Sequence, residues 1–257
     1  MLAESSEASV HSASFAGVAG FLAVGLALIH VFANRLRFID AVPRSRWLSF
    51  SSGVSVAYVF VHLLPDLSEA QHTLRQSLSI ELKFIEHHIY LVALLGIVVF
   101  YGLERAAKVS RRSNQEAGTG DMTSAGIFWL HIGSFAFYNA LIGYLLVHRE
   151  VPGLANLLFF AIAMALHFVV NDYGLREHHK KMYAYVGRWI LAAATMVGWV
   201  IGSATELPQS AVSVLFAFLA GGIVLNVLKE ELPEERESRF WAFALGAGVY
   251  TALLLRL

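Results

Sequence analysis

Eight apolar segments of membrane length run through this sequence and limit what it can fold into. Each is about 17–25 residues long, enough for a helix to cross a bilayer hydrocarbon core of about 30 Å. Inside hydrocarbon, backbone polar groups must be bonded within the protein, so each segment is predicted to be a helix. The predicted spans are roughly 13–33, 47–67, 84–104, 124–148, 153–174, 187–205, 210–228 and 240–256.

The composition agrees with an integral membrane protein and excludes other classes. Hydrophobic residues make up 57% of the 257 residues and charged residues only 15%, which is too apolar for an ordinary soluble domain. The net charge of zero indicates no nucleic-acid partner, and the lipid bilayer is the predicted partner. The chain has no cysteine, so a metal would need His, Asp, Glu or Asn ligands. We predict an all-α polytopic fold, one membrane domain over 1–257 and no firm cofactor.

The Lys and Arg residues set the predicted orientation. Fifteen of the 19 lie in or beside the first, third, fifth and seventh loops, and four lie in the other loops and the tails. By the positive-inside rule the basic loops are cytoplasmic, and both termini lie on the non-cytoplasmic side of the cell membrane. The basic loop 105–122 is polar and contains glycine, and it is predicted to be flexible.

Three polar residues lie in the second half of the fifth span: His167, Asn171 and Asp172. A charged side chain at this depth costs roughly 2.5–3.5 kcal/mol on insertion scales, so it usually faces a polar cavity or a partner. On an ideal helix His167 and Asn171 share a face, whereas Asp172 lies about 140° from His167. The residues could form an ion site. Alternatively, His167 and Asn171 form interhelical hydrogen bonds and Asp172 pairs with Arg176.

Other spans also carry polar groups. In the second span, His62 and Asp66 have the i, i+4 spacing that lets two side chains bind one cation or each other, although Asp66 could simply cap the outer end. The remaining groups are His131, Tyr138 and Asn139 in the fourth span, a histidine pair at 87–88 near the outer end of the third span, and a histidine pair at 178–179 in a predicted cytoplasmic loop. Paired histidines can bind transition metals, but such pairs are also common without metal.

Four segments carry motifs in a defined order. Segment 54–66 ends in His-Leu-Leu-Pro-Asp, 94–104 closes on a glutamate, 161–167 leads to a histidine, and 218–233 contains Gly-Gly and ends in Glu-Glu-Leu-Pro. These segments resemble spans 2, 3, 5 and 7 of the ZIP (Zrt/Irt-like) metal transporters, and the resemblance covers most of the chain. It implies an eight-helix bundle in which spans 1–3 and 6–8 are inverted repeats, and it makes a homodimer a candidate assembly.

The sequence departs from that family at its metal centre. The family has His-Asn-x-x-Glu-Gly on the fourth span; here Asn139 and Gly143 match, whereas Tyr138 and Ile142 stand at the His and Glu positions. On the fifth span only His167 is kept as a ligand type, since the Glu and Gly positions hold Asn171 and Asp172. The family's two-metal centre is therefore expected to be absent. The candidate that remains is a single weak site of His167, Asn139, Asn171 and Asp172.

Three functions follow as hypotheses. The first is a divergent ZIP-like permease whose substrate is a divalent cation such as zinc, iron or manganese, with His167 as the principal ligand and His62, Asp66, His131 and Tyr138 along the pathway. The second is a ZIP-like membrane protein that no longer moves metal and carries another solute, senses a ligand or serves a partner. The third, an intramembrane metal-dependent hydrolase, needs about three convergent ligands and is disfavoured because no His-Glu-x-x-His motif occurs.

Overall fold

A computed structural model of the chain describes residues 2–35, 46–77, 88–148, 153–231 and 239–255. Within these ranges the regular elements are all helices, which confirms the all-α prediction. Five helical stretches are long and apolar enough to cross a membrane, namely Ser49–Gln76, His88–Glu116, Ala125–Leu145, Leu154–Ala204 and Gln209–Lys229, and two shorter apolar helices are Gly17–Phe32 and Phe240–Leu254. This architecture is compatible with a multi-pass membrane protein.

Nine α-helices lie in the described ranges, and they cover most of each predicted apolar segment. They are α1 Leu2–Phe32, α2 Arg46–Tyr58, α3 Leu64–Ser77, α4 His88–Glu116, α5 Ala125–Leu145, α6 Leu154–Met182, α7 Arg188–Ala204, α8 Gln209–Asn226 and α9 Phe240–Leu254. The same ranges contain three π-helical turns, at Val59–Leu63 between α2 and α3, at Tyr183–Gly187 between α6 and α7, and at Val227–Glu231 after α8.

The stretch Leu154–Ala204 reverses direction at Lys180. At about 1.5 Å per residue, a straight helix of this length would be more than twice as long as a bilayer core is thick. Lys180 has φ 45° and ψ −116°, far from helical values. Arg176 of α6 and Arg188 of α7 both donate to backbone carbonyls at the C-terminal end of α1. The chain therefore returns along itself, and α6 and α7 are two antiparallel helices.

Three pairs of helices run parallel to each other at very close range. The pairs are α2 with α9, α4 with α8, and α5 with α7, and they include the most extensive contacts of the fold. Each helix of each pair contributes a glycine where a Cβ atom would collide with the partner's backbone: Gly53 and Gly246, Gly96 and Gly221, and Gly143 and Gly198. Small residues let helix backbones approach closely, which is how helices associate in membranes without a hydrophobic driving force.

A proline explains the π-helical turn in the second apolar segment. Pro65 lies next to the start of α3, directly after the turn Val59–Leu63. Because proline has no backbone N–H, it cannot donate to the carbonyl four residues earlier, and the helix widens locally. His62 lies within this turn, and Asp66 follows it in the first turn of α3.

The connection predicted as a flexible loop over 105–122 is mostly helical. Helix α4 continues to Glu116, because Lys108 with Glu104 and Arg112 with Glu116 form i, i+4 ion pairs on its surface. It ends in a Schellman motif at Gly118, which has φ 68° and whose neighbour Thr119 donates to the Asn114 carbonyl.

The irregular part that remains, 117–124, is held by a side-chain clasp. Arg111 donates to both carboxylate oxygens of Asp121, and Gln115 also donates to Asp121. The hydrogen bonds from Arg111 lower the pKa of Asp121 to about 2. The sequence analysis placed a loop over all of 105–122 because it did not weigh these local pairs against the glycines.

Candidate functional site

His167 lies in α6 and contacts two neighbouring helices. Its Nε2 atom is 2.8 Å from the hydroxyl oxygen of Tyr138 on α5, and its Nδ1 atom is 3.5 Å from the amide nitrogen of Asn226 on α8. His167 and Tyr138 are both buried. A cation could reach Nε2 only if the Tyr138 hydroxyl moves aside or shares its oxygen with the cation.

A second polar junction centres on His30 of α1. The Nδ1 atom of His30 lies 2.8 and 3.0 Å from the two carboxylate oxygens of Asp172 on α6. Its Nε2 atom lies 2.8 Å from Oδ1 of Asn139 on α5. Thr195 of α7 also donates to that amide oxygen, at 3.4 Å. One buried imidazole thus links α1 to α5 and α6, with α7 joined through the same amide.

Hydrogen bonding determines which nitrogen of His30 donates to Asn139. The amide nitrogen of Asn139 donates to the Phe135 carbonyl at 2.7 Å, so Oδ1 faces His30 as an acceptor and Nε2 must donate. The other nitrogen of His30 faces a carboxylate. A second proton is therefore shared between Nδ1 and Asp172, either as an imidazolium–carboxylate pair or as a neutral pair.

The four predicted metal ligands do not meet at one site. Asn139 and Asp172 meet at His30, whereas His167 meets Tyr138 and Asn226. Asn171 is buried in α6, and its amide nitrogen has no hydrogen-bond partner among the described residues. Within the described part of the chain, no group of three or more His, Asp and Glu side chains is placed to hold a metal ion.

The predicted histidine pair at 178–179 lies in α6 and not in a loop. Both residues are buried, and they belong to the helical part of α6 that directly precedes the reversal at Lys180. The Nε2 atom of His179 lies 2.9 Å from Nδ1 of His131. The Nδ1 atom of His179 lies 2.6 Å from the hydroxyl oxygen of Thr123. The other predicted pair, at 87–88, lies outside the described residues apart from His88.

Glu104 joins three helical segments at the same end of the bundle. Its Oε1 atom lies 2.7 Å from Nζ of Lys229, in the π-helical turn after α8, and 3.0 Å from Nε2 of His178 on α6. Lys108, one turn along α4, approaches the same oxygen at 3.7 Å but is 55% exposed. Of these two lysines, the one closer to Glu104 is therefore Lys229, which comes from a different helical segment.

A cavity of about 20 Å³ lies between His167 and Glu104. Tyr138, Asn226 and Lys229 also line it, together with apolar side chains. This volume is enough for about one water molecule. The cavity extends from His167 to the carboxylate of Glu104, and imidazole, amide and carboxylate groups line its wall.

His62 and Asp66 face each other as their spacing predicts. Nε2 of His62 lies 3.6 Å from a carboxylate oxygen of Asp66, and both side chains are partly exposed, at 16% and 17%. The pair flanks Pro65 and is more exposed than the side chains of the two buried junctions.

Sequence reasoning missed His30 and undervalued Glu104, Lys229 and Thr195. His30 was detectable in principle, since it is a single polar residue in the apolar run Gly25–Phe32 and such residues usually face the interior of a bundle. Its partners were not detectable, because they lie more than a hundred residues away in sequence.

No protein-family model matches this chain, and no curated protein matches its sequence. The resemblance to the ZIP family therefore rests on the sequence motifs described above.

Proposed function

We propose that the chain is a divergent ZIP-like permease for a divalent metal cation such as zinc, iron, manganese or cobalt. The observation that carries the proposal is the cavity between His167 and Glu104, which places nitrogen and oxygen donors along one buried path. Borderline divalent cations bind imidazole, amide and carboxylate groups. A transported ion must be held weakly enough to leave, so two or three ligands with water suit a pathway better than a closed cage.

The arrangement of helices supports eight membrane passes. With α2 and α3 taken as one span, the parallel pairs are spans 2 and 8, 3 and 7, and 4 and 6, and spans 1 and 5 are parallel as well, since His30 meets Asp172 and Ala33 meets Arg176. Every pair joins two odd or two even spans, as alternating crossings require. On this proposal both termini lie outside the cell.

The same contacts support an inverted repeat of spans 1–3 and 6–8. The repeat relates span 1 to span 6, span 2 to span 7 and span 3 to span 8. A contact between spans 2 and 8 then requires an equivalent contact between spans 7 and 3. The contact between spans 1 and 6 is its own equivalent. All three contacts are present, between α2 and α9, α4 and α8, and α1 and α7. Such repeats are a common plan of secondary transporters.

A local sequence match supports the exchange of spans 2 and 7. Gly53 and Gly221 pack against a neighbouring backbone in the two spans. Each is followed at the same offset by a π-helical turn, starting at Val59 and Val227. Pro65 and Pro233 then stand at the same offset in the sequence, each preceded by leucine and followed by an acidic residue.

The chemistry proposed for transport assigns each group one task. His62 and Asp66 meet the cation at the outer end, where partial exposure lets water accompany it. His167 receives it through Nε2 once the Tyr138 hydroxyl turns aside, and the cavity then leads to Glu104. His131 belongs to the inner end of the path, through its contact with His179.

The test is uptake of each cation into proteoliposomes that contain the His167→Ala variant. We expect flux to fall to the level of protein-free liposomes, because His167 is the one imidazole among the described residues that line this cavity. The matched control is His72→Ala, which removes an exposed histidine that contacts Gln76 on the same helix. Undiminished flux in His167→Ala would remove this residue from the mechanism.

A second candidate is a ZIP-like protein that binds no metal at mid-membrane. The hydrogen bond between Tyr138 and His167 favours it, because it gives the imidazole a protein partner where a cation would bind. A ligand that binds the native state raises its stability. An unchanged thermal transition of the well-folded protein in the presence of each metal would favour this candidate over the permease.

A further inference from the structure

The ammonium group of Lys229 occupies a position with the chemistry of a cation site. It lies 2.7 Å from Oε1 of Glu104, and Nε2 of His178 lies 3.0 Å from the same oxygen. A carboxylate and an imidazole are ligands that zinc, cobalt, iron and manganese accept. The cation now at this position is a side chain of the protein itself.

The surroundings indicate a shielded position and not an ordinary surface pair. The side chains of Glu104, His178 and Lys229 are 15%, 11% and 26% exposed, whereas the neighbouring Lys108 is 55% exposed. Lys229 also lines the cavity below His167. A cation that travels from His167 past Glu104 would therefore meet this ammonium group.

We propose that Glu104 and His178 form a binding seat for a divalent cation, and that Lys229 occupies and masks this seat until a cation displaces it. The direction of travel rests on the permease function proposed above, but the binding seat does not. In this proposal Lys229 competes with the divalent cation for the binding seat.

When a cation displaces Lys229, the proton on Nε2 of His178 can stay on the same imidazole. Nε2 now donates a proton to Glu104, so it must lose that proton before it can bind a cation. Nδ1 of His178 is buried and has no hydrogen-bond partner among the described residues. The proton can move to Nδ1 as a change of tautomer, and no net proton is released.

Tethering makes the lysine an effective competitor despite its single charge. A group linked to its site acts at an effective concentration of about millimolar for short flexible links. With only two protein ligands, a divalent cation competes against it and binds weakly. Removing the lysine should therefore strengthen cation binding, although it removes no ligand.

The experiment measures equilibrium binding of Co²⁺ to the full-length protein in detergent, by dialysis and by the visible absorption of the bound ion. Lys229→Gln should bind one additional Co²⁺ per chain, with an apparent Kd at least 10-fold below that of any wild-type site. The double variant K229Q/E104Q should lose this gain. Lys108→Gln is the matched control, because it removes the other lysine beside Glu104 and should leave binding unchanged.

Two results would overturn the proposal: no gain of Co²⁺ binding in folded Lys229→Gln, or a gain that survives in K229Q/E104Q. If Lys229→Gln does not fold, reductive methylation of the wild-type protein supplies the test. Co²⁺ should raise the labelling of Lys229 and leave that of Lys108 unchanged, and equal labelling of Lys229 with and without Co²⁺ would contradict displacement.

The binding measurement separates this inference from the permease. Co²⁺ binding in Lys229→Gln needs no transport, so a gain of binding together with absent wild-type flux would leave the seat standing and refute the permease. Flux that depends on His167, without a gain of Co²⁺ binding in Lys229→Gln, would support the permease and refute the binding seat.

Discussion

Replacing His30 by leucine tests whether the junction it forms holds the bundle together. The substitution removes the 2.8 Å hydrogen bonds to Asp172 and Asn139. It leaves Asp172, which is only 2% exposed, without this partner. Leucine occupies similar space, so the loss is polar and not a cavity.

The magnitude follows from the burial of the pair. Removing one partner of a buried charge pair costs about 3–5 kcal/mol, because the other charge stays away from water. An unpaired buried acceptor such as Oδ1 of Asn139 costs about 1–3 kcal/mol more, reduced here because Thr195 also donates to it. We therefore expect His30→Leu to lower the free energy of unfolding by about 3–5 kcal/mol.

The assay is unfolding in mixed micelles by titration with a denaturing detergent, followed by tryptophan fluorescence. The variants are His30→Leu, Asp172→Leu and the double variant H30L/D172L. In the double variant neither group is left unpaired, so its loss should be smaller than the sum of the single losses by at least about 1 kcal/mol. Losses that add within about 0.3–0.5 kcal/mol would refute the direct coupling of these two residues.

Further predictions concern packing, acid stability and the missing ligands. Gly198→Ala should destabilise the fold by about 1–3 kcal/mol, because the new Cβ meets the backbone of Ala140, whereas Gly133→Ala, which meets nothing within 4 Å, should be neutral or stabilising in the same assay. The pKa of Asp121 is lowered from 3.8 to about 2, so its ion pair with Arg111 contributes stability above about pH 3.8 that is lost as the pH falls through 2. The difference in stability between the wild type and Asp121→Asn should therefore fade between these two pH values. A difference that is independent of pH would contradict this prediction. The triple variant Y138H/I142E/N171E restores the ligand types of the resembled family and should bind Co²⁺ more tightly than the wild type does. A folded variant that binds Co²⁺ no more tightly would count against the resemblance at these positions.

The helices could be predicted from the sequence because hydropathy and length decide them. Each apolar segment contains a helix, since no other structure satisfies the backbone inside hydrocarbon. The ends were less predictable. Helix α4 runs to Glu116 because of ion pairs on its surface, and the chain reverses at Lys180 through a backbone conformation that lysine seldom adopts.

The polar residues of the site were predictable one by one, but their partners were not. His167, Asn139 and Asp172 stand out because each is polar within an apolar run. Which helix faces which depends on contacts such as those of Gly143 and Gly198, and these set the register between segments far apart in sequence. That register gives Asp172 to His30 and gives His167 to Tyr138.

The most direct test of the central proposal is metal uptake by the wild-type chain reconstituted in liposomes with an internal metal-sensitive dye. The permease predicts uptake of at least one of zinc, manganese, iron and cobalt that saturates with concentration and exceeds that of protein-free liposomes. Uptake equal to that of protein-free liposomes for all four cations, with the protein folded and inserted, would contradict it.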